Sequence, residues 1–270
     1  MHPGRHPEPT PHGVGFAVGP GDAATGGVLV VIPARFGSSR FPGKALADIH
    51  GRPLIVRVAE NAQGVRRADR VVVATDDERI RDVVAAAGYD CELTAVHPTG
   101  TDRIAEVAAR HAAGLVVNLQ GDEPLLPPGD VDALIAFMQA EPAWDIGTCG
   151  HPFADEAAWR DPNVVKVVTA RDGGALYFSR APIPGMFPGR QAQGHEAALR
   201  HVGIYAYRRS ALLRFAALPP TPLEQVEGLE QLRALENGLR IGVVEVAAGP
   251  VGVDTPADLE RVRAAWPTGR

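Results

Sequence analysis

The 270-residue sequence contains only two cysteines, and each of them, Cys91 and Cys149, lies within or beside an apolar run typical of a strand. Neither a disulfide pairing pattern nor a second cluster of zinc ligands accompanies them, which argues against a disulfide-rich scaffold and against a zinc protein. We interpret both as buried thiols of a protein that works in a reducing compartment.

Basic residues are also too few for a general nucleic-acid-binding protein, because 27 Lys and Arg against 32 Asp and Glu give a formal net charge of -5. The first 27 residues are rich in Pro, Gly and His and contain neither the apolar core of a signal peptide nor a membrane span. We therefore expect residues 1–27 to be a disordered extension. We expect residues 28–266 to form a single cytoplasmic domain that binds neither nucleic acid nor membranes.

Two well-known phosphate-binding motifs are missing as well. No G-x-G-x-x-G fingerprint opens a helix after the first apolar run, so the dinucleotide-binding motif is absent. The segment that begins at Gly37 is a near miss of a P-loop, since five residues rather than four precede Gly43-Lys44. Ala45 then stands where a P-loop has the Ser or Thr that holds magnesium.

The chain does contain a short apolar run, residues 28–32, that leads into a loop with three cations. The run is β-branched and too short for an ordinary helix, which predicts a buried strand. Arg35, Arg40 and Lys44 follow it within a loop that also holds two glycines. Because parallel strands place their ligand loops at their carboxyl ends, this pattern predicts a phosphate site. A solvated cationic loop is the alternative interpretation.

Short β-branched runs alternate with amphipathic stretches over the next hundred residues. The runs at 71–75, 91–95 and 115–119 predict strands of βαβ units, and hence a Rossmann-like α/β fold with a mostly parallel sheet and helices on both faces. Polar clusters, Thr75-Asp76-Asp77 and Gln120-Gly121-Asp122-Glu123, directly follow two of these runs. We expect them to face the same crevice as the cationic loop.

From about residue 145 the pattern changes, because four strand-like segments follow one another without long helices between them. This predicts a mixed or antiparallel extension of the sheet. We further expect a loop over residues 185–196, helices over 210–218 and 222–237, and a late strand at IGVVEV. The last helix begins at Asp254-Thr255-Pro256, where Asp254 could be an ordinary N-cap.

Asp122, directly after a strand-like run, has the character of a metal ligand, and Asp254 lies in a late turn. Magnesium favours one or two carboxylates together with substrate phosphates, and such an Asp taken alone is more often a turn or cap residue. A cationic phosphate loop together with these carboxylates suits metal-assisted transfer at a phosphate, where catalysis is largely positioning and charge neutralisation.

Nine blocks of the sequence, in order, resemble the 3-deoxy-D-manno-octulosonate (Kdo) cytidylyltransferases, also called CMP-Kdo synthetases. The likeness runs from about residue 28 to residue 265. The blocks are VVIPARFGSSRFPGK, VVVATDDERI, GTDRIAEV, VVNLQGDEP, PNVVKVV, ALYFSRAPIP, RHVGIYAYR, PLEQVEGLEQLR and GVDTPADLERVR.

The resemblance implies a nucleotidyltransferase domain of GT-A-like fold over residues 28–266, with sheet-extension and sugar-pocket elements at about 145–240. The implied reaction joins CTP and Kdo into CMP-Kdo and diphosphate, which activates Kdo for lipopolysaccharide synthesis. Mg²⁺ would be the cofactor, and a homodimer would form on the sheet extension. Magnesium would lower the pKa of the attacking anomeric hydroxyl, so a separate general base need not exist.

The resemblance also implies roles for individual residues. Arg103 would lie along the nucleotide and help select cytosine or its ribose, and Asp122 and Asp254 would bind magnesium. The implied catalytic residues are Arg35, Arg40, Lys44 and Asp122. The implied nucleotide-binding residues are Ala34, Arg35, Ser39, Arg40, Lys44, Thr75, Asp76, Arg103 and Asp122. The implied sugar-acid pocket consists of Gln120, Arg180, His201, Tyr205, Glu230 and Gln231.

Within that pocket Arg180 is the candidate partner of the substrate carboxylate, and His201 is a hydrogen-bond donor rather than a base. Simple packing is the alternative for each pocket residue. Without the family, Arg103 would be interpreted as a solvated residue at the start of a helix.

Three rival functions stay open. The segment PGMFPGRQAQGHEAA departs from the family pattern, so the acceptor could instead be an amino-substituted Kdo, another 2-keto-3-deoxy acid or a small phosphonate. A glycosyltransferase that uses a sugar nucleotide would rely on an Asp-x-Asp turn after a strand, whereas the cationic loop suits pyrophosphate release. A regulatory module without activity would be expected to lack Lys44, Asp122 or Asp254, and all three are present.

Overall fold

The computed structural model describes residues 26–37, 41–188 and 194–267, and its elements follow the β-branched and amphipathic runs of the sequence. The strands are β1 (Gly27–Ala34), β2 (Asp48–Ile49), β3 (Arg52–Pro53), β4 (Arg70–Thr75), β5 (Cys91–Leu93), β6 (Ala113–Asn118), β7 (Ile146–Pro152), β8 (Lys166–Thr169), β9 (Ala175–Ser179), β10 (Leu199–Arg208) and β11 (Ile241–Glu245). The helices are α1 (Leu54–Ala62), α2 (Glu78–Ala86), α3 (Gly100–Arg110), α4 (Pro128–Ala140), α5 (Glu156–Arg160), α6 (Arg209–Ala216), α7 (Pro222–Glu227), α8 (Gln231–Glu236) and α9 (Pro256–Ala265).

The main sheet has the strand order β11-β7-β10-β6-β1-β4-β5. Strand β1 lies between β4 and β6 and is parallel to both, and β5 continues the parallel part beside β4. Alternate residues of β1 enter two different cores, because successive side chains of a strand point to opposite faces. Val30 and Ile32 join the core that contains residues of α1, α2, α4 and α9. Leu29 and Val31 join the core that contains residues of α3, α6 and α8. The predicted α/β fold with helices on both faces is confirmed.

The predicted mixed or antiparallel extension after residue 145 is also present, and it is mixed because β11 pairs parallel with β7. Strand β10 pairs antiparallel with β6, β7 and β8, and β9 pairs antiparallel with β8. The expected homodimer on this extension stays a prediction.

Two predictions about helices are wrong. The single helix expected over residues 222–237 is two short helices, because Gly228 has φ 64° and ends α7 in the left-handed region, which favours glycine. The N-cap of α9 is Thr255 rather than Asp254. The hydroxyl of Thr255 accepts the N–H of Asp258 in a capping box.

Both cysteines are free thiols; Cys149 is buried, as predicted, whereas Cys91 is only partly buried. Burial raises the pKa of Cys91 to about 11 and that of Cys149 to about 12, so neither is a reactive thiolate near neutral pH. Among the described residues, the structure has no helix with the length and apolarity needed to cross a bilayer. The predicted extension of residues 1–27 lies outside the described residues except for Gly26 and Gly27.

Candidate active site

The predicted phosphate loop leaves the carboxyl end of β1 at the centre of the parallel strands. Ala34 pairs in register with Thr75 at the end of β4, and Val31 pairs with Asn118 at the end of β6. The loops after these three strands therefore start at one edge of the sheet, as expected for a ligand crevice in a parallel sheet. Ser39 and Arg40 lie outside the described residues, and their roles stay predictions.

Lys44 is placed by a sharp backbone turn. Gly43, at φ 71°, precedes a 3₁₀ turn that begins at Lys44, and the N–H of Gly43 donates to the carbonyl of Phe36 at 3.1 Å. This turn returns the chain to the crevice. The Nζ of Lys44 donates to Asp122 Oδ2 at 2.6 Å and lies 3.5 Å from Asp254 Oδ1. The two predicted metal ligands and the predicted phosphate clamp thus meet at one point.

Backbone contacts bring the two carboxylates together. A Cβ on Gly121 would lie 2.6 Å from the carbonyl oxygen of Pro33, so only glycine lets the loop after β6 approach β1 this closely. The N–H of Val253 donates to the carbonyl of Asp122 at 2.9 Å and fixes Asp254 beside it. These contacts explain why residues distant in sequence form one site.

The donor set at this point fits a hard divalent cation. Asp122 and Asp254 already converge on one positive charge, the ammonium of Lys44. The neighbouring Glu123 has a buried Oε2 without a hydrogen-bond partner. Burial, followed by repulsion from Asp122 and Asp254, raises the pKa of Glu123 to about 8. No group of three or more His, Cys, Asp and Glu arranged for a metal occurs in the described part of the chain. A cation here would therefore need substrate oxygens as further ligands, as magnesium commonly does.

A cavity of about 390 Å³ opens beside this cluster. Its lining includes Pro33, Ala34, Arg35, Lys44, Ala45, His97, Pro98, Thr99, Gly100, Arg103, Gln120, Gly121, Asp122 and Asp254. Of the predicted nucleotide-binding residues in the described ranges, Thr75 and Asp76 are absent from this lining. Thr75 is buried at the end of β4, and Asp76 forms a 2.9 Å ion pair with Arg103.

Arg103 is not the solvated residue that its sequence position alone suggested. It is 3% exposed, pairs with Asp76 and donates to Thr94 Oγ1 at 2.5 Å. These two bonds hold its guanidinium against the cavity wall. The neighbouring wall residues His97, Pro98 and Thr99 were not predicted, although they directly precede the GTDR block in the sequence.

A second, smaller cavity of about 130 Å³ adjoins the first through Gln120, which lines both. Its lining residues are Thr101, Asn118, Gln120, Ile146, Tyr205, Tyr207, Phe215, Glu230 and Gln231. Glu230 is held there by Thr101 Oγ1 at 2.7 Å and by Arg233 Nη2 at 2.6 Å. Hydroxyl, amide and carboxylate groups in a partly aromatic wall suit a polyhydroxylated ligand.

The structure brings four of the six predicted sugar-pocket residues into this lining. The exceptions are His201 and Arg180. His201 lies next to the pocket, 5.4 Å from the ring of Tyr205, and its Nε2 is 3.0 Å from Thr148 Oγ1. Arg180 is exposed and outside both linings, with its Nε donating to the carbonyl of Glu227 at 2.9 Å. Its predicted contact with the substrate carboxylate stays a prediction.

Five further lining residues were not predicted, namely Thr101, Asn118, Ile146, Tyr207 and Phe215. Tyr207 lies two residues after Tyr205 on β10 and therefore on the same face, so strand alternation could have identified it. Phe215 belongs to α6 and reaches the pocket only through tertiary packing.

Burial of His201 predicts a pH dependence of stability. Desolvation lowers its pKa to about 3, below the usual 6.5, so unfolding takes up a proton between these values. The stabilising contribution is complete above pH 6.5 and is lost as pH falls toward 3. At pH 5 the loss is about 2 kcal/mol. Urea unfolding at pH 7.5 and pH 5 tests this. On going to pH 5, the free energy of unfolding should change by about 2 kcal/mol less favourably in the wild type than in His201→Gln, because all other titrating groups, including Glu123, are common to both proteins. An equal change in both proteins would contradict the assignment.

Known proteins are similar to this chain in both sequence and fold. A sequence model of the cytidylyltransferase family matches residues 29–241. The 3-deoxy-manno-octulosonate cytidylyltransferase of Syntrophotalea carbinolica is 53% identical over 245 residues, covering 88% of this chain and 97% of the relative. The enzyme of the same name from Geobacter sulfurreducens is 50% identical over 243 residues, covering 87% and 97%.

A solved structure described as CMP:2-keto-3-deoxy-manno-octonic acid synthetase complexed with CTP superimposes with a TM-score of 0.83 at 46% identity. The match covers 88% of this chain and 98% of that one. The resemblance found in the nine sequence blocks is thereby confirmed over nearly the full length of these relatives. The chain belongs to the 3-deoxy-manno-octulosonate cytidylyltransferase family.

Proposed function

We propose that this protein transfers the cytidylyl group of CTP to Kdo, giving CMP-Kdo and diphosphate. The observation that carries this proposal is the junction of the two cavities at Gln120, beside Lys44, Asp122 and Asp254. A triphosphate in the larger cavity and a sugar acid in the smaller one would meet at this charged cluster. The relatives' names support CTP and Kdo as the two substrates.

The larger cavity supplies charge for the nucleotide. Arg35 and Lys44 line it with two cations at the end of β1, and Arg103 is fixed farther along its wall. Cationic donors that are already positioned before the substrate binds stabilise the negative charge that develops on the phosphates. We assign Arg35 and Lys44 to the triphosphate and Arg103 to the nucleoside.

The chemical step is a displacement at phosphorus. The anomeric hydroxyl oxygen of Kdo forms a bond to the α-phosphorus while the bond from that phosphorus to the bridging α,β-oxygen breaks. Diphosphate leaves with the electron pair, and the hydroxyl proton passes to solvent. The protein contributes mainly by holding the two reactants in line and by neutralising charge.

Asp122 and Asp254 would hold a magnesium ion, with Glu123 nearby. When bound, the ion supplies charge neutralisation at the phosphates and lowers the pKa of a coordinated hydroxyl. His201 does not serve as the base, because its pKa of about 3 makes it a very weak proton acceptor and its Nε2 is engaged with Thr148.

A cytoplasmic location, a place in lipopolysaccharide synthesis and a homodimer belong to the same proposal. For the homodimer, β9 forms an edge of the extension and carries Leu176, which is 62% exposed. An exposed apolar residue on a strand edge suits contact with a second copy. Sedimentation of the protein at several concentrations tests this part separately.

Pyrophosphate release tests the proposed function. The protein should be supplied with magnesium, each of the four common nucleoside triphosphates, and in turn Kdo, 8-amino-Kdo, another 2-keto-3-deoxy acid and a small phosphonate. We expect rapid release only from CTP with Kdo. Release from CTP with a different acid alone would overturn the acceptor, and no release in any combination would overturn the transferase function.

A further inference from the structure

We propose that His97 reads the 4-amino group of cytosine through its Nδ1, and that Glu106 holds the imidazole in the tautomer this reading requires. The inference rests on the proposed function and names the residue pair that separates CTP from UTP at its nucleotide cavity. Neither residue belongs to the phosphate loop, the carboxylate cluster or the sugar-acid cavity.

His97 lies at the nucleoside end of the larger cavity. The phosphate-binding end is marked by Lys44, Asp122 and Asp254 after β1 and β6. The other end is marked by Arg103, whose partners are Asp76 directly after β4 and Thr94 directly after β5. Since β4 and β5 lie on the opposite side of β1 from β6, a nucleotide with its phosphates at Lys44 extends its base toward this end. His97 lines the cavity there.

Hydrogen bonds at Glu106 decide which ring nitrogen of His97 carries the proton. Oε2 of Glu106 lies 2.5 Å from His97 Nε2 and also accepts the N–H of Ala95 at 3.0 Å. The Oε1 atom of Glu106 accepts from Arg110. The bond to His97 is the main reason that the pKa of Glu106 is lowered, so its carboxylate is ionised and has no proton to offer.

His97 Nε2 must therefore be the donor in this bond. A neutral imidazole then has an unprotonated Nδ1, which is a hydrogen-bond acceptor. Within the described ranges of the chain, Nδ1 has no hydrogen-bond partner. The cavity wall thus offers an acceptor whose orientation is fixed by the hydrogen bond from Nε2 to Glu106 behind it.

This acceptor supplies what Arg103 cannot supply. A guanidinium has only donors, which suit the 2-carbonyl that cytosine and uracil share and also the ribose hydroxyls. The two bases differ at position 4, where cytosine has an amino donor and uracil has a carbonyl acceptor. An unprotonated Nδ1 accepts a hydrogen bond from the amino group of cytosine. With uracil bound, the lone pair of Nδ1 would face a lone pair of the 4-carbonyl oxygen, and no hydrogen bond would form. Buried groups left unpaired in this way discriminate strongly against the wrong ligand.

Binding of CTP and UTP by titration calorimetry in magnesium buffer, without the acceptor, tests the inference. We expect the wild type to bind CTP more tightly than UTP. In His97→Ala, CTP affinity should fall about tenfold while UTP affinity stays the same or rises. Glu106→Gln should also reduce the CTP preference, because its amide can donate to Nε2 and let the proton move to Nδ1. Arg110→Ala removes another Glu106 partner without touching His97 and is expected to keep the wild-type preference.

A purely structural role for His97 would weaken both nucleotides by the same factor, and that result would overturn the inference. A wild type that binds CTP and UTP equally, or an unchanged preference in Glu106→Gln, would also overturn it. A different result would overturn the proposed function without overturning this inference. CTP-selective binding that depends on His97, without pyrophosphate release from CTP and Kdo, would refute the transferase assignment and leave the base reading in place.

Discussion

Asp122→Ala is expected to lower kcat for CTP-dependent pyrophosphate release by about a thousandfold or more while the protein stays folded. The substitution removes the carboxylate that lies 2.6 Å from the Nζ of Lys44. Among the described residues, Lys44 then keeps one ion-pair partner, Asp254, at 3.5 Å. It also removes one of the two carboxylates proposed to hold magnesium. The side chain of Asp122 is 31% exposed, so its loss should change the melting temperature by only a few degrees.

Asp122→Asn preserves the size of the side chain, and we expect nearly the same loss of activity from it. Asp90→Ala is the matched control, since it removes an exposed carboxylate that pairs with Arg70 at 3.0 Å far from the crevice. Steady-state kinetics with circular dichroism separates activity from folding. An Asp122→Ala protein with kcat near that of the wild type would remove Asp122 from the catalytic site.

Lys44→Met is expected to lower kcat/KM for CTP by about a hundredfold to a thousandfold. The variant keeps a side chain of similar length and loses the ammonium that faces both Asp122 and Asp254. The two carboxylates, whose repulsion also helps to raise the pKa of Glu123, then face each other without the compensating charge of Lys44. We therefore expect added magnesium to raise the melting temperature of Lys44→Met more than that of the wild type.

Arg160→Met is the control for this change, because it removes a surface cation that pairs with Glu156 outside both cavities. Its kcat/KM and its response to magnesium should match those of the wild type. A Lys44→Met protein with kcat/KM for CTP within tenfold of the wild type would contradict the assignment of Lys44 to the triphosphate.

Local sequence pattern was sufficient to predict that the cationic loop after β1 lies at the crevice. The β-branched run of β1, the cations after it and the polar residues after β6 each predict one part of a crevice, because parallel strands align their carboxyl ends. The meeting of Asp122 with Asp254 required the family resemblance. It depends on the close approach at Gly121 and on a backbone bond from Val253, and neither is visible in a local pattern.

Other features could not be predicted for identifiable reasons. Gly228 occurs in a sequence that otherwise suits one helix, and only its positive φ shows that the helix ends there.

The sequence also contains an Asp-x-Asp triplet, Asp130-Val131-Asp132, of the kind a glycosyltransferase would place in a turn after a strand. In the structure it lies within α4, where Asp132 accepts the N–H of Arg67 at 2.8 Å. Its position in a helix removes that support for the glycosyltransferase alternative.

The sugar-acid cavity shows the limit of transferring roles from a resemblance. Gln120, Tyr205, Glu230 and Gln231 line it, whereas Arg180 donates to the Glu227 carbonyl outside it. A family motif fixes the backbone position of a residue more reliably than the direction of a long, exposed side chain, because such a side chain has many rotamers of similar energy.

Phosphorus-31 NMR of the wild-type protein with CTP, Kdo and magnesium is the most direct measurement of the central claim. We expect the CTP resonances to be replaced by those of diphosphate and of one new phosphodiester, which joins CMP to the anomeric oxygen of Kdo. Loss of CTP to CMP and diphosphate without an intermediate phosphodiester, or a CTP spectrum that does not change, would contradict it.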